Sequence, residues 1–128
     1  MLGPTYRYQI VNYTGVSVTA TIKDRRWKFG TTGAQEYAAE STPANAVAVA
    51  AGGAGNGGTV DNSSTAYLGA MLTVSVSPSA SATGVVAVYL QRSTDGGTTW
   101  PSDRLGVQVG AIMLSASTGT TAANMTVR

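Results

Sequence analysis

Apolar and polar residues alternate along most of this chain, and a two-residue period is typical of β-strands that bury one face. No segment shows the 3.6-residue period and capping residues of an amphipathic helix. The pattern therefore predicts an all-β protein. The clearest runs cover residues 6–11, 16–29, 68–76, 85–90, 107–114 and 124–127. Residues 35–40 fit a short strand, and 36–39 also fit a single helical turn.

Short strands at even spacing, separated by glycine-rich turns, favour an antiparallel β-sandwich of jelly-roll or immunoglobulin-like type. A chain of 128 residues suits one such domain, spanning residues 1–128. Residues 44–58 stand apart, because they consist only of alanine, glycine, asparagine and valine. Glycine is entropically unfavourable to order. We therefore expect this segment to be a flexible loop, or an arm that lies across a neighbouring subunit.

Charge is scarce, since only 11% of the residues are charged, against about 25% in typical domains. Such a surface is either covered by other subunits or solvated by serine, threonine and asparagine. The formal net charge is +2, but residues 23–28 carry four bases and one acid, which leaves the rest net negative. The chain has no histidine and no cysteine, which are common in catalytic and metal sites. We expect no catalytic residues, no cofactor and no metal site.

The basic segment is interleaved with aromatic residues, as nucleic-acid surfaces often are. Nucleic acid is not the expected partner, because the rest of the chain is net negative. On a strand, Arg26 and Lys28 point to one side. The opposite side then carries Arg25, Trp27 and Phe29. One interpretation places Trp27 and Phe29 in the core or against a neighbour, with arginines that pair with acids such as Glu36, Glu40 or Asp103. Two others stay open: an ion pair or edge contact with another subunit or protein, and a solvated face.

A polar turn is predicted at Ser93–Trp100, where the apolar run 85–90 ends. Asp95-Gly96 is a strong hairpin signal, because the aspartate bonds nearby backbone N–H groups and glycine accepts positive φ. The stretch resembles the Asp-box turn of sialidase-type propeller blades, which is structural and carries no activity. A single copy cannot build a propeller, which needs about four blades or more. We expect a structural hairpin turn, with a sugar or calcium site as the alternative, formed by Ser93, Asp95, Gly96, Gly97 and Trp100.

Several stretches resemble small structural proteins of tailed bacteriophage particles. They are residues 6–10 (YRYQI), 25–29 (RRWKF), 60–63 (VDNS), 67–69 (YLG) and 88–101 (VYLQRSTDGGTTWP). The resemblance implies a virion protein present in many copies, made in the host cytoplasm, with the major capsid protein or another virion protein as partner. It also implies a dimer or trimer that acts as a capsid decoration (cement) protein and stabilises the shell.

We expect contact with the shell through three parts of the chain, and an acidic surface on the partner. These parts are the basic edge at Arg25, Arg26, Trp27 and Lys28, the arm with Ala48 and Val49, and the N-terminal residues with Leu2. The alternative function is a tail or fibre protein that recognises host glycans through an exposed Trp27 or Trp100. A membrane role is not expected, because the longest purely apolar run is residues 46–51, whereas a spanning helix needs roughly 20 residues. Residues 1–4 also lack the features of a signal peptide.

Overall fold

The structure is a computed structural model that describes residues 1–128, and every regular element in it is a β-strand. The expected all-β fold is confirmed. No helix long and apolar enough to cross a lipid bilayer occurs in it. The strands are β1 (Thr5–Asn12), β2 (Val18–Phe29), β3 (Gln35–Tyr37), β4 (Ser41–Val49), β5 (Ala54–Asn56), β6 (Val60–Asp61), β7 (Gly69–Pro78), β8 (Ala82–Ser93), β9 (Val107–Ser117) and β10 (Thr121–Val127).

The strands form two antiparallel sheets that pack against each other as a single-domain β-sandwich. The first sheet has the order β5-β1-β8-β9, with β6 also paired to β1. The second sheet has the order β10-β7-β2-β3, with β4 also paired to β2. Because β1 and β2 lie in different sheets, the order is not that of an immunoglobulin domain, whose first two strands share a sheet. The nested pairs β1–β8 and β2–β7 resemble a jelly roll instead.

Alternate residues of the four central strands face a common core between the sheets. The core cluster contains 21 buried residues. Most of them come from β1, β2, β7 and β8: Tyr6, Tyr8, Ile10, Val18, Ala20, Ile22, Ala70, Leu72, Val74, Val76, Ala82, Val86, Val88 and Leu90. The alternation read from the sequence is therefore confirmed for these strands, and the residues between the core positions point outwards.

One buried polar contact joins the two sheets across this core. The hydroxyl of Tyr6 in β1 donates a hydrogen bond to Oδ2 of Asp24 in β2 at 3.2 Å. The hydroxyl of Ser41 donates to Oδ1 of the same carboxylate. Asp24 is only 1% exposed, and a buried carboxylate is unfavourable unless its oxygens accept hydrogen bonds. Burial, followed by the nearby charge of Asp24, raises the pKa of Tyr6 and keeps its hydroxyl a donor.

The expectation of a flexible loop at residues 44–58 is wrong, whereas contact of this segment with a neighbouring subunit stays a prediction. Most of this segment lies in strands, since β4 pairs with β2 and β5 pairs with β1. The Asn12 side chain also holds the connection by donating to the carbonyl of Val49 at 3.3 Å. Glycine permits close packing here, because a Cβ on Gly55 would lie 2.9 Å from the side chains of Val47 and Val49. Backbone pairing to both sheets orders the segment, and its composition does not reveal that pairing.

The end of β2 is paired by the short strand β3. Residues 35–40 contain this strand over residues 35–37, and no helical turn occurs there. β3 places Tyr37 opposite Trp27. β2 itself is one continuous strand from Val18 to Phe29, as the alternation predicts.

The outward face of the first sheet is covered by the chain between β8 and β9, residues 94–106. Gln9 and Gln91 point away from the core, yet both are fully buried. The amide of Gln9 donates to Oδ1 of Asp103 at 2.8 Å. The amide of Gln91 donates to the carbonyl of Pro101 at 3.2 Å. Hydrogen bonds from side chains of the sheet thus hold this connection in place.

Replacing Tyr6 by phenylalanine removes its hydrogen bond across the core and leaves the Asp24 carboxylate without that donor. We expect Tyr6→Phe to lower the free energy of unfolding by about 2 kcal/mol. The matched control is Tyr8→Phe, because the hydroxyl of Tyr8 is also buried but has no hydrogen-bond partner. The control should not lower the free energy of unfolding, because the hydroxyl that it removes is buried without a hydrogen bond. Urea unfolding measures both variants, and equal losses would contradict a specific role for the contact with Asp24.

Candidate functional site

The register of the second sheet aligns a set of side chains that point away from the core. Opposite residues of antiparallel strands share a face, as do residues two apart along one strand. Lys23 thus lies beside Thr73, and Arg25 lies beside Met71. We call this surface the basic-aromatic face. It consists of Lys23, Arg25, Trp27, Phe29, Tyr37, Gly69, Met71, Thr73, Asn124, Thr126 and the adjoining Arg128.

Trp27 is the centre of the aromatic part of this face. Its indole ring lies across Gly69 in the neighbouring strand, since a Cβ on that glycine would come within 2.6 Å of the ring. Phe29 meets the indole edge-on, with ring centroids 5.6 Å apart, which is a favoured arrangement of aromatic pairs. Trp27 is half-buried as a result. Phe29 and Tyr37 are 59% and 44% exposed, so two apolar rings remain accessible beside it.

Two shallow grooves cross the basic-aromatic face. One has a volume of about 300 Å³ and runs between Lys23 and Asn124. The other has a volume of about 350 Å³ and is bounded by Trp27, Tyr37 and Arg128. Met71 and Thr126 line both grooves, so the grooves adjoin each other. Neither is an enclosed cavity, and this shape suits a partner surface or an extended ligand.

Arg25 is held by a ring on this face and has no acidic partner. Its guanidinium lies 5.6 Å from the centre of the Tyr37 ring and donates to the carbonyl of Ala38 at 3.3 Å. Lys23 is paired with Glu40 at 3.8 Å, in a contact whose side chains are 52% and 61% exposed. An exposed pair of this kind stabilises a fold by about 0–1 kcal/mol. The positive charge of Arg25 therefore remains available to a partner.

Arg26 and Lys28 lie on the other side of β2, as the alternation predicts. Both charges sit over the ring of Tyr67, at 4.9 and 5.8 Å from its centre. Both residues are half-buried, so they are less accessible to a partner than Arg25.

The expected pairing of arginines with acids is wrong. The only ion pair of the structure is formed by a lysine, Lys23. Arg25 lies over the ring of Tyr37, and Arg26 lies over the ring of Tyr67. An exposed cation–π contact stabilises a fold by about as much as an exposed ion pair does. The arginines therefore stack on rings rather than pairing with the three candidate acids, Glu36, Glu40 and Asp103.

Two of the residues expected to touch a partner are buried. Leu2 is fully buried, and its N–H donates to the carbonyl of Leu68 at 3.0 Å. Val49 is 1% exposed and belongs to the core. Both predictions are therefore wrong, because these apolar side chains fill the interior of the sandwich. Ala48 is exposed on β4, where it lies opposite Thr19 on the outward side of the second sheet.

The aspartate of the polar turn caps backbone N–H groups, as the sequence predicts. Oδ1 of Asp95 accepts hydrogen bonds from the N–H groups of Thr98 and Thr99 at 3.0 and 2.9 Å. The Ser93 hydroxyl donates to the same oxygen at 2.7 Å, and the Thr99 hydroxyl donates to Oδ2. Both carboxylate oxygens are therefore engaged within the turn, which favours a structural role over a calcium site.

The rest of the turn also has the expected local geometry, but it does not reverse the chain tightly. Gly96 and Gly97 have φ angles of +72° and +97°, which glycine adopts without strain. The Trp100 indole N–H donates to the carbonyl of Gly97 at 3.1 Å, and the Arg7 guanidinium lies 4.4 Å from the ring. The prediction of a tight hairpin is wrong, because β9 begins only at Val107. The intervening chain first crosses the outward face of the first sheet.

Hydrogen bonding within the turn lowers the pKa of Asp95. The hydroxyl of Thr99 is the largest cause, followed by the backbone N–H of Thr99 and the hydroxyl of Ser93. Each of these donors favours the charged carboxylate over the neutral acid. The turn is consequently most stable when Asp95 is ionised.

Residues of the face that sequence reasoning missed come from strands far apart along the chain. Met71 and Thr126 line both grooves, and nothing in their local sequence marks them. Tyr37 could have been found as an aromatic residue in a predicted short strand. The other two are recognised only once the register of β7 and β10 is known.

Comparisons with protein-family models, with curated proteins and with solved structures give no match to this chain. No group of three or more histidine, cysteine, aspartate or glutamate side chains is placed to hold a metal ion. The geometry of the chain itself therefore identifies the candidate site. The basic-aromatic face combines exposed rings, grooves and an arginine without an acidic partner.

Replacing Asp95 by asparagine keeps the size of the side chain and removes its charge. Because folding lowers the pKa of Asp95, its charged form stabilises the fold above about pH 4, the unfolded value. This stabilisation is lost as the pH falls towards the lower folded value. We expect the melting temperature of the native chain to fall between about pH 7 and about pH 3, and that of Asp95→Asn to fall less.

Scanning calorimetry at the two pH values measures this difference. Glu36→Gln is the control, because it removes an exposed carboxylate outside the turn. An Asp95→Asn variant with the same pH dependence as the native chain would contradict the capping role of the charge.

Proposed function

We propose that this chain is a structural protein of a phage particle, namely a capsid decoration (cement) protein that binds across subunits of the major capsid protein and stabilises the shell. The resemblance of residues 88–101 to structural proteins of tailed bacteriophages supports a place in the phage particle. The basic-aromatic face supplies the means of attachment. In this proposal the chain acts by binding and catalyses no reaction.

The observation that carries the proposal is a group of exposed apolar side chains on the outward side of one sheet. Phe29, Tyr37 and Met71 are 59%, 44% and 43% exposed. Grouped exposed apolar side chains are typical of interaction sites. Aromatic residues, methionine and arginine are also the types enriched in the centre of protein–protein interfaces. Burying these side chains against another protein is more favourable than leaving them in contact with water.

The charge of the face indicates the kind of surface that it would meet. Arg25 has no acidic partner, and Arg128 adjoins the groove beside Trp27. An acidic surface on the shell would complement these cations and would speed the encounter of the two partners. Binding through them should weaken as the salt concentration rises.

The rigidity of the face and the repetition of the shell would both favour attachment. The contacting side chains stand on paired strands, so little backbone order is lost on binding. A shell presents many identical sites, and a unit that spans two subunits gains effective concentration at the second contact. A modest interface for each copy would then suffice to stabilise the whole particle.

Reversing the charge of Arg25 tests this proposal directly. We expect Arg25→Glu to weaken binding to phage shells that lack the protein by about tenfold, because it places a negative charge against an acidic surface. Co-sedimentation of the purified chain with the shells measures this change. The matched control is Arg104→Glu. Arg104 is likewise exposed and lies 5.5 Å from the centre of a tyrosine ring, that of Tyr13, but it is outside the face.

The control should bind like the native chain. Unchanged binding of Arg25→Glu would remove the basic-aromatic face from the interface. Equal loss in both variants would show that only the net charge of the chain matters. A native chain that binds no shell would contradict the decoration function itself.

Recognition of host glycans by a tail or fibre protein is the second candidate function. The groove of about 350 Å³ supports it, because Trp27 and Tyr37 both line this groove and rings with a polar edge suit polar ligands. Both tryptophans are half-buried, so neither is the exposed ring that the sequence suggested. Tyr37 is the exposed ring of the groove.

A glycan array probed with the native chain tests this second candidate. Any hits should be lost in Tyr37→Ala, because that change removes the exposed ring. Tyr13→Ala is the control, since Tyr13 is 48% exposed and lies outside the face. An array without hits, or hits that survive in Tyr37→Ala, would exclude glycan binding in this groove.

A further inference from the structure

The sandwich ends on two sides in strand edges, whose backbone N–H and C=O groups have no partner strand. Such edges can pair with another chain, and proteins usually block them with short strands, bulges, proline or charge. One side of this sandwich is blocked in this way. Its strands β3, β5 and β6 have 3, 3 and 2 residues. The remaining strand, β4, contains Pro43, two register shifts and Ala46 at a φ of +48°.

The other side is formed by β9 and β10, and the edge of β10 is not blocked. β10 pairs with β7 over all 7 of its residues without a register shift. It contains no proline, and no charged residue occurs from Leu105 to Val127. β9, by contrast, has two register shifts against β8. The chain therefore presents one regular and uncharged strand edge.

We infer that a second copy of this chain pairs along the free edge of β10, antiparallel and about a two-fold axis. The second sheets of the two copies then become one continuous sheet. A two-fold interface brings the same surface of both copies together, so a charged surface repels its own copy. The uncharged edge of β10 avoids this repulsion, whereas the basic-aromatic face, with Lys23 and Arg25, does not. The edge of β10 is therefore the surface on which two copies of the chain can meet without like-charge repulsion.

The position of Asn124 in the middle of β10 suggests the register of this pairing. Asn124 is exposed and lies in the outward row of the second sheet. Pairing centred there places Asn124 opposite its own copy, and Ala122 opposite Thr126 of the second copy. Arg128 then lies opposite the uncharged Thr120 of the second copy, so no like charges meet. Antiparallel pairing also keeps the two basic-aromatic faces on the same side of the continuous sheet.

Sedimentation velocity of the purified chain up to about 0.1 mM tests the inference without any phage particle. We expect a dimer of the native chain. Asn124→Lys places two lysines directly opposite each other and should weaken the dimer at least about fivefold. The matched control is Thr19→Lys, because Thr19 is exposed on the same outward side but lies in β2, two strands away from the edge. The control should form the dimer as the native chain does.

A second variant tests the register and does not depend on a loss of binding. The chain has no cysteine, so Asn124→Cys introduces a single thiol. Opposite residues of antiparallel strands have Cα atoms about 4.5–5.5 Å apart, which a disulfide spans. Mild oxidation should therefore link Asn124→Cys into a covalent dimer but leave Thr19→Cys monomeric under denaturing conditions. Circular dichroism checks that every variant is folded.

Three results would overturn the inference. The first is a native chain that stays monomeric over the whole concentration range. The second is an equal weakening of the dimer by Asn124→Lys and Thr19→Lys, which would place the interface elsewhere. The third is equal cross-linking of the two cysteine variants. A native dimer that fails to bind any shell would contradict the decoration function and leave this inference intact.

Discussion

The pleat of the four central strands is the constraint on which the rest of the structure depends. Because side chains alternate across a strand, filling the core with residues such as Tyr6 and Ile22 also fixes which residues point outwards. On the first sheet the outward residues Gln9 and Gln91 are buried beneath the connection 94–106. On the second sheet the corresponding side is bare. The second sheet therefore has an open outward side, whereas the centre of the first sheet is covered.

The sequence was sufficient to predict which residues alternate along one strand. It was also sufficient to predict a turn whose hydrogen bonds join residues close together in the chain. The two sides of β2 were predicted correctly at Arg26 and Trp27, and so was the cap formed by Asp95. Which strands are neighbours could not be read in the same way. Met71 lies beside Arg25 only because β7 pairs with β2 in one particular register. The position of Tyr67 beneath Arg26 is likewise a product of tertiary structure.

The wrong prediction for residues 44–58 has a physical cause. Composition indicates how much apolar surface a segment can bury, and this segment can bury little. It does not indicate how many backbone hydrogen bonds the segment will make to strands that are already in place. β4 and β5 pair with the central strands β2 and β1, so the ladder supplies the order that side-chain burial does not. The glycine at position 55 then fits where a larger residue would collide.

The stacking of Arg25 on a ring, rather than pairing with an acid, decides what the basic-aromatic face offers to a partner. An exposed ion pair and an exposed cation–π contact each stabilise a fold by up to about 1 kcal/mol, so the chain gains similar stability from either. The two contacts differ in the charge that remains. An arginine over the ring of Tyr37 keeps its full positive charge, whereas an ion-paired arginine presents almost none. The ring also restricts the long side chain beforehand, so less rotamer entropy is lost when a partner binds. The chain therefore keeps the charge of Arg25 unneutralised beside the exposed rings of Phe29 and Tyr37.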